Sequence, residues 1–144
     1  MYSKKINLDN RTYEVDIYSN DHETSNENTI NFVIPIYSSN EVQAKISELC
    51  IKSIIKFTKQ NYKFWLVDNG SPNELWKWAL KYEKTVLVRN NTKIKPRFIN
   101  RKKARGTYFR RAKNGFSYEN AIALELGVTL IDNNSKYLMT LQND

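Results

Sequence analysis

Three short apolar runs constrain the fold of this chain more than any other feature of its sequence. Residues 30–36, 64–67 and 85–88 are almost continuously apolar and lack the alternation of strands that have one face in water. Such runs are typical of strands that are covered on both faces, as in a parallel sheet. They therefore predict the centre of an α/β fold.

Helical periodicity separates these runs. A first helix is expected to begin after Ser39 or Asn40, either of which can cap it, and to bury one mostly apolar face. The residues that recur on this face at three- and four-residue spacing are Val42, Ile46, Leu49, Cys50, Ser53, Ile54 and Phe57. Further helices are predicted over 73–83 and 117–131, and a last strand over 137–141. This order predicts an open, mostly parallel, doubly wound α/β sheet with right-handed crossovers.

The first 28 residues follow another pattern, which predicts an appendage to that sheet. Residues 5–8 and 12–18 alternate between polar and apolar side chains, and Asp9 and Asn10 between them favour a turn. We predict an N-terminal β-hairpin here, followed by a polar linker. The α/β unit then spans residues 29–144.

The positive charge of the chain is concentrated in one segment. The chain has 23 Lys and Arg against 15 Asp and Glu, a formal net charge of +8. Residues 97–113 carry eight cations and no acid. Such a segment can bind phosphates, nucleic acid or an anionic membrane face, and it is equally typical of a solvated loop.

Cysteine and histidine each occur once, as Cys50 and His22. The chain therefore has no intramolecular disulfide and too few ligands for a zinc finger. Cys50 falls on the apolar face of the first helix, which indicates packing and not nucleophilic chemistry. We expect a cytoplasmic protein, with peripheral contact to the inner face of a membrane as a further option for the basic segment.

The loops that follow the predicted strands are the expected place for a ligand, because open parallel sheets bind ligands beyond the carboxyl ends of their strands. These loops begin near residues 35, 68, 89 and 142, and they include two carboxylates and an arginine. Neither GxGxxG nor GxxxxGK[ST] occurs, so the dinucleotide fingerprint and the P-loop are absent. The sequence favours a single nucleotide that is held by side chains.

Four segments, in their order along the chain, resemble family 2 glycosyltransferases of the GT-A fold. Residues 33–37 (VIPIY) and 65–71 (WLVDNGS) resemble the opening strands of that family. Residues 114–122 (NGFSYENAI) resemble its N-x-G-x-x-x-x-N-x-G segment, and 137–144 (YLMTLQND) resemble the strand that leads into its DxD metal motif. The resemblance implies a GT-A-like N-terminal half that binds a nucleoside-diphosphate sugar.

The resemblance also implies roles for individual residues. Asp68 corresponds to a carboxylate that accepts a hydrogen bond from the base or the ribose, and Asp144 to the last acid of the DxD motif, which binds Mn²⁺ or Mg²⁺. Arg89 or Arg111 would contact a phosphate. The other implied donor-binding residues are Pro35, Ile36, Tyr37, Asn69, Gly70, Asn114, Gly115, Asn120 and Gln142. Structural alternatives remain open, since Asp68 can close an Asx-turn, and Asn114 and Asn120 can be polar groups of a loop and a helix start.

Two departures from the family pattern set the functional expectation. Gln142 stands where the first acid of DxD is usual, and the chain ends before any acceptor-binding half or catalytic base. We therefore interpret the chain as the donor half of a transferase that acts on a saccharide or lipid-linked acceptor in cell-surface polysaccharide or glycan synthesis. We expect little or no transfer by the 144 residues alone. The competing hypotheses are a nucleic-acid-binding module that uses residues 97–113 and a non-catalytic scaffold that associates with another chain.

Overall fold

The described part of the fold is built on a sheet of six strands. The computed structural model describes residues 1–8, 10–20, 26–92, 116–131 and 134–141. Its elements, in chain order, are β1 (Tyr2–Leu8), β2 (Arg11–Ser19), β3 (Ile30–Pro35), α1 (Glu41–Phe57), β4 (Tyr62–Asp68), a 3-10 helix (Lys77–Lys81), β5 (Thr85–Asn90), α2 (Phe116–Leu130) and β6 (Tyr137–Thr140). The strand order across the sheet is β1-β2-β5-β4-β3-β6.

The four strands at the centre and at one edge are parallel, as the apolar runs predict. β3 pairs with β4 and with β6, and β4 pairs with β5, all in parallel. Alternate residues of β3, β4 and β5 enter two separate clusters, so each of these three strands is buried on both faces, whereas the residues of β6 are exposed. One cluster includes Phe32, Phe64 and Leu87, and the other includes Val33 and Val67. The α/β prediction is confirmed.

The two faces of the sheet are covered by different elements. Ala44 and Ile51 of α1 lie in the cluster with Phe32 and Phe64, together with residues of the 3-10 helix. α2 contributes Ile122, Ala123 and Leu126 to the opposite cluster. A Cβ on Gly127 of α2 would lie only 2.4 Å from the Cγ1 atom of Val33, so glycine allows α2 to approach the sheet closely. None of the described helices is long and apolar enough to cross a membrane.

The N-terminal hairpin is confirmed, and it is continuous with the sheet. β1 and β2 pair antiparallel, and Asn10 in the turn adopts a φ of 60°, which asparagine tolerates better than most residues. β2 also pairs antiparallel with β5. Its residues Val15 and Ile17 are buried in the cluster that α2 covers. The hairpin therefore extends the sheet on the side of β5.

The helix predicted over residues 73–83 is wrong. Asn73 and Glu74 have φ values of 50° and 59°, which stop an α-helix, and only the short 3-10 helix follows. Trp76 and Trp78 are both buried, although residues two apart lie about 200° apart around an α-helix. A regular α-helix could not turn both indoles inward, so burial of the tryptophans favours the tighter and irregular path.

α1 has the predicted cap but not the predicted buried face. Asn40 caps the helix, and its Oδ1 accepts a hydrogen bond of 3.0 Å from the Gln43 backbone N–H. The buried residues of the helix are Ala44, Ser47 and Ile51. The larger apolar residues that we expected in the core, namely Val42, Ile46, Leu49 and Phe57, are instead exposed.

Candidate functional site

The carboxyl ends of β3, β4 and β5 meet at one edge of the sheet. Pro35 is the register partner of Val67, and Asp68 is the partner of Arg89. The chain leaves β3 next to β4, where the Ile36 N–H donates to the Val67 carbonyl at 3.0 Å. The register thus places residues that were predicted to bind the donor, from three separate segments, next to one another at the same edge of the sheet.

Asp68 is fully buried at this edge and is held by Ser71. The Ser71 backbone N–H lies 3.1 Å from each carboxylate oxygen, and the Ser71 hydroxyl donates to Oδ1. The same hydroxyl oxygen accepts a hydrogen bond of 2.8 Å from the Ser38 N–H. Asp68 therefore closes the turn at 68–71, and Ser71 connects this turn to the loop after β3.

Opposing influences act on the pKa of Asp68. Burial raises it, while the hydrogen bonds from Ser71 and the nearby charge of Arg89 lower it, and the net effect is a raised pKa. Arg89 Nε lies 3.8 Å from Asp68 Oδ2. This separation is too long for a strong hydrogen bond, so the interaction is mainly one of charge.

The backbone of Arg89 belongs to β5, and its side chain is held against an aromatic ring. Its guanidinium carbon lies 4.8 Å from the ring centroid of Trp76, in a cation–π contact. Its Nε is buried and has no hydrogen-bond partner among the residues described here. About a third of the side chain is exposed. Arg89 thus presents a partly open positive charge beside the buried carboxylate.

A second carboxylate flanks Arg89 from the other side. Asp16 of β2 is the register partner of Arg89 and of Ser3 in β1. Hydrogen bonds from the Ser3 hydroxyl at 2.6 Å and from the Asn91 side chain at 2.7 Å lower its pKa, and Arg89 contributes a smaller effect. Arg89 therefore lies between the half-buried carboxylate of Asp16 and the buried carboxylate of Asp68.

The other predicted residues around this edge differ in accessibility. Pro35 and Ile36 are buried, whereas 37% of the Tyr37 surface is exposed. Asn69 is half-buried and accepts a hydrogen bond of 3.1 Å from the Asn90 side chain. Gly70 is exposed, with a φ of +89° that glycine adopts without strain. Tyr37, Asn69 and Gly70 are thus the accessible groups above the buried network.

Several predicted residues lie outside the described part of the chain. They are Arg111, Asn114, Gly115, Gln142 and Asp144. Asn120 belongs to α2, but only its backbone is described. Within the described ranges, no three His, Cys, Asp or Glu side chains form a group that could hold a metal ion. The prediction that Asp144 binds Mn²⁺ or Mg²⁺ therefore remains a prediction.

Three contributors to the site were not predicted from the sequence. Ser38 joins the two loops, Trp76 stacks on Arg89, and Asp16 flanks Arg89. Ser71, within the WLVDNGS segment, was a signal for the turn. No local signal identifies Trp76, because its contact with Arg89 joins residues from separate elements.

Comparison with known proteins gives one family. The model of glycosyl transferase family 2 matches residues 32–118, which is more than half of the chain and includes most of β3, all of β4 and β5, and the start of α2. This match agrees with the resemblance noted in the sequence. No curated protein and no solved structure matched the chain.

Proposed function

Because the chain belongs to glycosyltransferase family 2, we propose that the carboxyl edge of its sheet binds a nucleoside-diphosphate sugar as donor. The observation that carries this proposal is the paired arrangement of the loops after β3 and β4. A buried network of Asp68, Ser71 and Ser38 joins the two loops, and the accessible Tyr37, Asn69 and Gly70 lie above it. Such preorganisation of loops on a rigid sheet suits recognition of a flat base and a ribose.

In this proposal, different residues contact different parts of the donor. Tyr37 offers an aromatic surface to the base, and Asn69 offers an amide. Asp68 Oδ2 accepts the Ser71 N–H, and the Gly70 N–H also hydrogen-bonds the carboxylate. Outward movement of these donors would let the carboxylate accept a hydrogen bond from the base or ribose instead. Because Asp68 is fully buried, this contact requires residues 69–71 to move outward, and the open space beside Gly70 permits it.

The diphosphate requires positive charge. Arg89 provides a fixed and partly exposed guanidinium, and we place Arg111 in the same role. Mn²⁺ or Mg²⁺, bound by Asp144, would neutralise charge on the departing nucleoside diphosphate. The acceptor in this proposal is a saccharide or a lipid-linked saccharide of cell-surface polysaccharide or glycan synthesis. The free Cys50 is compatible with a cytoplasmic location.

Calorimetric titration of the 144-residue chain with UDP, GDP, dTDP and CDP, with and without Mn²⁺, tests donor binding. We expect metal-dependent binding of one nucleotide, about tenfold weaker for Tyr37→Ala because a base-stacking surface is lost. Tyr2→Ala is the matched control, since Tyr2 is an exposed tyrosine on β1. Equal loss in both variants, or no binding of any of the four nucleotides, would contradict the proposal.

A second function, the binding of nucleic acid, is supported by the concentration of charge at residues 97–113. Binding of a single-stranded oligonucleotide through this segment should weaken steeply with salt and need no divalent metal. Donor binding, in contrast, should require the divalent metal. The same calorimeter, with an oligonucleotide in the syringe, separates the two.

A further inference from the structure

Four polar side chains form a row across the sheet, beside the carboxyl ends of β4 and β5. Ser3, Asp16, Arg89 and Asp68 are successive register partners in β1, β2, β5 and β4, and partners in neighbouring strands point to the same face. Arg89 and Asp16 are half-buried, whereas Asp68 is fully buried. A negatively charged ligand that reaches Arg89 from solvent therefore meets Asp16 beside it, and not Asp68.

The carboxylate of Asp16 is held in a fixed position. Its Oδ1 accepts a hydrogen bond of 2.6 Å from the Ser3 hydroxyl, and its Oδ2 accepts one of 2.7 Å from the Asn91 side chain. Both donors are uncharged, so they orient the carboxylate, favour its ionised form and leave its negative charge in place. The next acid on this side of β2 is Glu14, which is paired with Lys5 at 3.2 Å.

Strand β2 also acts on Arg89 through an aromatic pair. The guanidinium carbon of Arg89 lies 4.8 Å from the ring centroid of Trp76, and the ring of Tyr18 lies 5.3 Å from that of Trp76. Tyr18 follows Asp16 by two residues and so points to the same face of β2. The family match begins at residue 32, so both contacts come from a hairpin outside the matched part of the chain.

We propose that Asp16 is a specificity-determining residue, which makes the site favour a sugar nucleotide over the free nucleoside diphosphate. The inference rests on the proposed function, in which Arg89 contacts the diphosphate. In the sugar nucleotide the terminal phosphate is esterified, whereas in the free diphosphate it carries about one further negative charge at neutral pH. Arg89 alone would favour the more highly charged ligand. Repulsion by the fixed carboxylate of Asp16 offsets that preference.

Calorimetric titration of the 144-residue chain with matched ligand pairs tests this specificity. Each of UDP, GDP, dTDP and CDP is compared with its glucose ester, at low ionic strength and with Mn²⁺ in both titrations. Asp16→Asn removes the charge and keeps the size of the side chain. It should raise the affinity for the free diphosphate about threefold more than the affinity for the ester, because the two ligands differ in charge beside Asp16.

Glu14→Gln is the matched control for this variant. It removes the same charge from an exposed position two residues away on the same face of β2. The ratio of the two affinities should therefore stay at its wild-type value. A general loss of structure would weaken the binding of both ligands alike, so the ratio separates a charge effect from a structural one.

A second pair of variants adds charge without replacing Asp16. Ser3→Lys places a cation next to Asp16 and should change the ratio in the same direction as Asp16→Asn. Asn7→Lys adds the same charge on the same face of β1, about 13 Å further along the strand, and should leave the ratio unchanged. Ser3 and Asn7 are both exposed, so this pair remains decisive if Asp16→Asn does not fold.

The outcomes separate this inference from the function on which it rests. If the wild-type chain binds neither a free diphosphate nor an ester, the proposed function and the inference both fail. If the wild type binds but Asp16→Asn gives the same ratio as Glu14→Gln, donor binding stands and the role of Asp16 is overturned. Equal ratios for Ser3→Lys and Asn7→Lys would overturn that role in the same way.

Discussion

The two faces of the sheet are covered by helices of similar length that differ in which of their apolar residues are buried. α2 turns Ile122 and Leu126 into the core and approaches closely enough that Gly127 has no room for a side chain. α1 turns Ala44, Ser47 and Ile51 inward and leaves Val42, Ile46, Leu49 and Phe57 in solvent. Periodicity thus identifies the residues that share a side of a helix, but the neighbouring elements decide which side is buried.

Aromatic residues explain why α1 can present the small groups Ala44 and Ser47 to the sheet. Phe32, Phe64, Trp76 and Trp78 fill the cluster beneath it. Tyr18 and Trp76 are themselves in ring contact, with centroids 5.3 Å apart. Bulk supplied by the sheet and by the 3-10 helix leaves space for Ala44 and Ser47, whereas the valines under α2 leave space for larger helix residues.

Alanine substitution on the two sides of α1 is expected to give the largest difference in stability, and it tests which side of the helix is buried. Ile51→Ala removes a fully buried side chain and should lower the free energy of unfolding by about 3 kcal/mol. Ile46→Ala, on the exposed side, should lower it by less than about 1 kcal/mol. Urea denaturation followed by circular dichroism measures both. A larger loss for Ile46→Ala would mean that the outer side of α1 is covered in solution.

Gly127→Ala tests the close approach of α2. Alanine favours a helix by about 1 kcal/mol over glycine, but its Cβ would lie 2.4 Å from Val33 Cγ1 and 3.1 Å from Val67 Cγ2. We expect a net loss of about 2 kcal/mol in the free energy of unfolding. Ser53→Ala on the exposed side of α1 serves as the control and should be neutral or stabilising, and a stabilising Gly127→Ala would show that α2 is less tightly packed.

Removal of the cap should test how firmly α1 is held at its start. Asn40→Ala loses the hydrogen bond to the Gln43 N–H and should cost about 1 kcal/mol in the free energy of unfolding. Asn40→Ser keeps a capping oxygen and should cost only a few tenths. Thermal unfolding of the two variants side by side measures the difference, and equal melting temperatures would contradict the assigned cap.

The pH dependence of Asp68 gives the smallest expected effect on stability and the most specific one. Because burial raises the pKa of Asp68 in the folded state above its unfolded value of 3.8, the folded chain binds the proton more readily. Its contribution to the free energy of unfolding therefore falls as pH rises from 3.8 through the folded pKa. Asp16 has the opposite sign, since its lowered pKa makes its contribution fall as pH drops below 3.8.

Arg89→Met tests how strongly the charge of Arg89 acts on the pKa of Asp68. Loss of the guanidinium charge removes one of the influences that lower the pKa of Asp68, so the pKa should rise further. Titration of the carboxyl carbon signals by NMR follows both aspartates. Lys136→Met, which removes an exposed cation paired with Glu27, is the control and should leave Asp68 unchanged. An Asp68 titration that is identical in Arg89→Met would show that the charge of Arg89 is not felt at 3.8 Å.

The strands and the hairpin could be predicted because their signals are local. The apolar runs at 30–36, 64–67 and 85–88 fall within or next to β3, β4 and β5, and Asn40 acts as the cap that its position suggests. The path of residues 73–83 was not predictable from periodicity, because burial of both Trp76 and Trp78 depends on the space left by the sheet. Periodicity likewise could not predict which side of α1 faces outward, because the elements beneath the helix decide this.

The candidate site was predictable in outline only. The position of Asp68 at the end of a strand follows from the pattern, and Ser71 follows from the turn. The link from Ser71 to Ser38 and the stacking of Arg89 on Trp76 join residues that are distant in sequence, so they depend on the packing of whole elements. Sequence identifies the residue types at the edge of the sheet, and packing determines their contacts.

The hydroxyl of Ser71 has one proton, and the network at Asp68 determines its direction. With Asp68 ionised, this proton points to the carboxylate, which leaves the oxygen lone pairs free for the Ser38 N–H. The chain of donors from Ser38 through Ser71 to Asp68 then runs one way, with no alternative arrangement of equal energy. The loops after β3 and β4 are thus coupled through a single hydroxyl group, and displacement of Ser71 by a ligand would release the amide of Ser38 at the same moment.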